Sequence, residues 1–117
     1  MKPDGLAPAL VLACLAAAPP APAQAAAGRE IALQICSACH VVAPDQMFPP
    51  MLNRLTPSFA EIANRPGASA QSLRALIART HWDPGKIPMT MPDTMLTSEQ
   101  RDQVVGYILS LRTRSPG

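Results

Sequence analysis

The sequence predicts an all-α protein with long, proline-rich loops. Three observations carry this. Apolar residues recur at steps of three and four, never in a sustained alternation. Ser or Thr residues stand where helix N-caps belong, and prolines gather between the periodic stretches. No repeat period is present. The chain has 117 residues, enough for one domain with one small core.

The first stretch, MKPDGLAPALVLACLAAAPPAPAQA, has Lys2 near its start, an apolar run from about Leu6 to Ala18, and the small-residue triplets Ala21-Pro22-Ala23 and Ala23-Gln24-Ala25. This is the layout of a secretory signal peptide, predicted to span residues 1–25, with cleavage after Ala25 and the site after Ala23 as second choice. A membrane span needs roughly 20 apolar residues, more than this run supplies. Val11 to Cys14 loosely resembles a lipoprotein box, but the bulky Leu12 fits it poorly, so Cys14 is expected to leave with the signal. Removing Lys2 and Asp4 leaves the formal charge of residues 26–117 at +2. That balance lacks the clustered basic stripe of a nucleic-acid-binding surface. No later run is long enough to span a bilayer, so a soluble exported product is expected, with membrane contact only through partner complexes.

The first predicted helix covers Ala27 to His40, opened by Gly28, with Ile31, Ile35 and Cys39 at steps of four. Residues 41–56 hold Pro44, Pro49 and Pro50 and no sustained period, which makes a loop. Thr56 as N-cap with Pro57 in the first helical position predicts a short helix that stops at Pro66-Gly67. Ser69 can cap a third helix carrying Leu73, Leu76, Ile77 and Thr80 on one side. Pro84, Gly85, Pro88 and Pro92 exclude helix and strand from the next stretch. Thr97 and Gln100 form a capping box for a last helix with Val104, Ile108 and Leu111 as its stripe and basic residues in its final turn.

The chemistry concentrates at Cys36-Ser37-Ala38-Cys39-His40. C-x-x-C-H is the attachment pattern of c-type haem: each thiol adds across one porphyrin vinyl group, and the next residue, His40, can bring its Nε2 to the iron. Three other uses compete. A disulfide across so small a loop contributes little stability, since the benefit grows with loop length. A thioredoxin-like redox site wants the cysteines between a strand and a helix, and no strand is predicted. Zinc needs a fourth ligand, and the only other histidine, His81, has no second Cys or His nearby. Residues 26–117 contain few aromatics, so a large apolar cofactor would complete the core.

The export signal, a Gly-initiated helix running into CxxCH, a Met-Pro loop and a capped C-terminal helix together resemble a small bacterial class I cytochrome c over essentially all of residues 26–117. The resemblance implies about four short helices packed around one covalently bound haem c, in a periplasmic electron carrier and not an enzyme. It implies a methionine sulfur as sixth iron ligand. Met91, followed by Pro92 and then by the Thr97-capped helix, matches the family's loop best; Met89 is the runner-up, and Met95, beside the helix, is expected in the core. It implies that a proline carbonyl accepts a hydrogen bond from the His40 Nδ1–H, with Pro57 matched and Pro49 or Pro50 in contention because the connection is longer than usual. Trp82 is implied as a donor to a haem propionate or as packing at the haem edge. Gly28 and Tyr107 match the positions where first and last helices cross, and Gly106 in mid-helix suggests a close approach. His81 is read as a surface residue. Expected partners are a bc-type complex, a terminal oxidase or a periplasmic dehydrogenase. The competing function is a haem protein with a labile sixth ligand, acting as gas sensor or weak peroxidase.

Overall fold

The computed structural model describes residue 5 and residues 20–51, 56–79 and 91–113. Within them the chain forms four helices, α1 (Ala21–Ile35), α2 (Phe59–Ala63), α3 (Ala70–Ala78) and α4 (Ser98–Ser110), and no strand. Helix α1 crosses α4 in the principal contact, and α2 and α3 also pack on α4. No helix among the described residues is long and apolar enough to cross a membrane.

Helix α1 starts at Ala21, six residues before the predicted opening. Alanine is the strongest helix former, and Pro22 lies in the first turn, where its missing N–H has no partner to lose. Gly28 therefore sits inside the helix, and it is fully enclosed. A Cβ added there would run into the backbone carbonyl of Gln103 and lie 2.9 Å from the Val104 nitrogen. The crossing therefore requires glycine on α1. Gly106, expected to help bring the helices together, has nothing within 4 Å of its would-be Cβ, so that expectation is corrected. The contact passes one turn earlier on α4.

The second helix is capped by Ser58, not Thr56. The Ser58 Oγ accepts from the Glu61 N–H at 3.1 Å, and the Glu61 carboxylate accepts from the Ser58 N–H at 2.6 Å, a complete capping box. Thr56 has no Glu or Gln three residues on, which is why the serine wins. The shift leaves Pro57 outside the helix. The helix ends at Ala63, before the predicted Pro66-Gly67 stop, with Asn64 as its cap. Ser69 and Ser72 cap α3 reciprocally, and Thr97 and Gln100 cap α4 as the sequence predicts. On α3, Leu73 and Ile77 are buried but Leu76 is exposed, so the buried stripe is narrower than predicted; Thr80 lies outside the described residues.

No basic residue occupies the last turn of α4, contrary to expectation, because the helix stops at Ser110. Arg112 lies beyond it and its guanidinium donates to the carbonyls of Ala63 (3.1 Å) and Ala68. Thr113 donates to the Asn64 side chain through its backbone N–H and its hydroxyl, at 3.0 and 2.8 Å. These bonds hold Arg112 and Thr113 against the end of α2 and the α2–α3 connection. The core consists of Ala32 and Cys36 from α1 and its cap, Val42, Phe59, Ile62 and Ala63, Leu73 and Ile77, Leu96, and Val104, Val105, Tyr107 and Ile108.

Candidate functional site

Helix α1 ends at Ile35, and Cys36 is its C-cap, donating its N–H to Ala32 O at 2.8 Å. The four residues that follow form a single turn: the N–H groups of Cys39 and His40 both donate to Cys36 O, at 3.1 and 2.9 Å. The cysteines thus lie on a turn appended to α1, not inside a continuous helix as the spacing suggested. Neither is in a disulfide; Cys36 is buried and Cys39 half-buried. Burial, with Cys39 close by, pushes the Cys36 thiol up to about 11. A redox-active CxxC cysteine needs the opposite shift, toward thiolate at neutral pH.

His40 is half-buried, and its Nδ1–H donates to the Pro57 carbonyl at 2.7 Å. Because a carbonyl only accepts, this bond places the proton on Nδ1 and leaves Nε2 with its lone pair free. Burial pulls the imidazole below its ordinary value, against the opposing effect of the Pro57 bond, and so favours the neutral ring. That ring is backed by Phe59, with centroids 5.4 Å apart, and Phe59 by Tyr107 at 6.3 Å. The Pro57 bond depends on the cap position described above: with Ser58 as N-cap, Pro57 stays extended chain, and its carbonyl turns to the imidazole. Of the two other prolines in contention, Pro50 is buried and Pro49 exposed, and no bond joins either to the His40 ring.

Between His40 and Pro57 the chain is pinned by contacts the sequence reading did not anticipate. The buried Tyr107 hydroxyl donates to Val42 O at 2.8 Å, and the Phe59 N–H to Val41 O at 3.0 Å. Arg29 on α1 holds both carboxylate oxygens of Asp45 at 2.9 Å. Gln46 accepts from the N–H groups of Val42 (2.7 Å) and Ala43 (3.4 Å) and donates to Phe48 O (2.8 Å) and His40 O (3.5 Å). The sequence marks Gln46 only as the polar residue after Asp45 in a proline-rich stretch.

Met91 is half-buried and packs against the core, in irregular chain that leads into α4. Met95 is 87% exposed with φ at 53°, its N–H held by the Asp93 carboxylate at 2.9 Å, so the expectation that it serves as core is corrected. Trp82, His81 and Met89 lie outside the described residues, as do Cys14 and most of the predicted signal.

The residues present fit a haem. Two unpaired thiols and a neutral imidazole with a free Nε2 are grouped on one turn, and the chain on either side carries exposed apolar side chains at Ile35 and Val41. An all-helical chain with such a turn defines a monohaem electron-transfer protein as its class. The comparison with family models bears this out: the cytochrome c model matches residues 25–112, most of the sequence, and the chain belongs to the cytochrome c family, as a small class I member. A cytochrome c-552 from Bradyrhizobium diazoefficiens is 33% identical over 90 residues, covering 77% of each chain. No solved structure matches. Family membership brings the cofactor, covalently bound haem c with its iron, and the general role of a haem-based electron carrier.

Proposed function

We propose that this protein is a periplasmic one-electron carrier whose haem iron is held by His40 on one side and Met91 on the other, with Cys36 and Cys39 as the covalent anchors. The observation that carries the reading is the His40–Pro57 bond at 2.7 Å, which orients the imidazole and keeps Nε2 unprotonated. When bound, the haem supplies an iron that gains or loses one electron, and a thioether ligand favours its ferrous state relative to a second imidazole. The chain's part is to hold both ligands in either oxidation state. His40 is fixed by its Pro57 bond and by Phe59 behind it. Met91 reaches the core from a segment that has no helical constraint of its own, which leaves its sulfur free to be placed by packing.

With His40 and Met91 both holding the iron, no position would be left for oxygen or substrate, which would suit electron transfer and not catalysis. Residues 1–25 act in this reading as the export signal, and α1 of the processed protein keeps Ala26–Ile35. Pro57 serves as the carbonyl that orients His40, and Trp82 as a haem-edge residue. The partners are other periplasmic redox proteins, such as a bc-type complex, a terminal oxidase or a dehydrogenase.

Met91→Leu tests the ligand choice. The ferric Met-to-iron absorption band is expected to disappear in Met91→Leu and to survive in Met89→Leu. The reverse pattern would move the ligand to Met89.

A further inference from the structure

The connection from His40 to Pro57 has no helix or strand among its described residues, 41–51 and 56, yet its two ends must meet for the imidazole to find its carbonyl. A loop of that length carries an entropic cost of closure, and each internal bond that preorganises it lowers that cost. Most of the bonds that order this connection hold it from outside: Arg29 at Asp45, Tyr107 at Val42, the Phe59 N–H at Val41. Gln46 is different. Its one amide ties residues 40–48 together internally, taking the Val42 and Ala43 N–H groups on its oxygen and giving its N–H bonds to the carbonyls of Phe48 and of His40 itself. On its other side, the His40 backbone is set by the bond of its N–H to Cys36 O. Gln46 therefore constrains the chain leaving His40 as the CxxCH turn constrains the chain entering it.

We infer that Gln46 is a positioning residue for the axial imidazole: it holds the loop so that the His40 Nδ1–H stays bonded to Pro57 O. This rests on His40 being the iron ligand. Each end of the amide makes one short bond, the oxygen with the Val42 N–H at 2.7 Å and the nitrogen with Phe48 O at 2.8 Å, so the whole amide is needed. Losing it leaves two backbone N–H groups without their acceptor in a half-buried loop and lets the His40 backbone swing.

The experiment uses the exported, haem-loaded full chain. Gln46→Leu keeps a side chain of similar size and removes every side-chain bond; Gln46→Glu keeps an oxygen acceptor and loses the donor; Gln46→Asn, one methylene shorter, is a milder change that reports in the same directions if the leucine variant does not fold. Arg74→Ala, which removes the exposed Arg74–Asp102 pair between α3 and α4, is a control for general destabilisation. Two quantities are read in the native holoprotein: exchange of the His40 Nδ1–H with solvent by NMR of the reduced form, and the reduction potential. Gln46→Leu is expected to speed that exchange by about tenfold, the value of one lost hydrogen bond. It should also raise the potential, because an imidazole that donates less is a weaker base and stabilises ferric iron less. Gln46→Asn shifts both in the same direction by less; Gln46→Glu, which keeps the acceptor for the Val42 N–H but cannot donate to Phe48 O or His40 O, speeds the exchange by less than Gln46→Leu; Arg74→Ala leaves both near the unsubstituted values. Unchanged exchange and potential in Gln46→Leu and Gln46→Asn, or equal changes in Arg74→Ala, would overturn the assignment. Failure of the underlying reading shows separately: the unsubstituted protein would then lack a ring-current-shifted His40 resonance.

Discussion

Replacing both thiols, Cys36→Ala with Cys39→Ala, is expected to yield a colourless chain with little helix. The reason lies in how little the polypeptide buries by itself. Of the aromatic residues described, only Phe59 and Tyr107 are core, and the largest completely enclosed side chains are three valines, Val42, Val104 and Val105. Helix α2 has five residues and α3 nine, both below the length at which a helix sustains itself in water. Meanwhile Ile35, Val41, Met47, Phe48 and Met51, all near the CxxCH turn in sequence, stand exposed in the polypeptide. A domain of this size is marginal without a staple, and a group bound only by the native state adds its binding free energy to folding. Far-ultraviolet circular dichroism of the double variant should therefore show mostly unfolded chain without a cooperative melt. A helical apoprotein that melts cooperatively would show that the protein core suffices.

Gly28→Ala is the second large effect, and it acts on the holoprotein. The added methyl group would collide with the Gln103 carbonyl, which is α4 backbone and cannot rotate away as a side chain would. Helices α1 and α4 would have to separate along the contact that organises the fold, opening the packing of Ala32 against Val104 and its neighbours. A destabilisation of about 3 kcal/mol or more is expected. For a domain of this size that corresponds to a fall in Tm of more than about 10 °C. Gly106→Ala provides the contrast, since its methyl meets nothing and replaces glycine in a helix interior. It is expected to be neutral or to stabilise by up to about 1 kcal/mol. Equal melting temperatures for the two variants would mean that the close crossing at Gly28 is not needed.

The two glycines show what the sequence could and could not disclose. Helical periodicity and capping residues located all four helices, because those signals are local: Ser69, Thr97 and Gln100 stand in the chain next to the N–H groups they satisfy. Which glycine makes the crossing depends on how two distant helices meet, and no window of residues contains that information. The choice of Ser58 over Thr56, by contrast, was open to a local window, since its capping-box partner Glu61 stands three residues on. CxxCH was legible because its chemistry is packed into five adjacent residues. Gln46 and Tyr107 were not, since what they hold is loop backbone, and backbone acceptors leave no mark on a sequence. The exposure of Met95 belongs to the same class: a methionine beside a helix start reads as core until the positive φ turns it outward.

Family membership makes the protein a haem-based electron carrier; the His40/Met91 ligation that closes the iron is the central claim of the proposed function. The visible spectrum of the exported protein, reduced and then exposed to carbon monoxide, tests it most directly. Sharp c-type bands that do not change with the gas are predicted, because in the proposed function His40 and Met91 would both hold the iron. A prompt shift on adding carbon monoxide would contradict it, leaving an open or easily opened sixth position and a sensor or peroxidase chemistry in place of simple electron transfer.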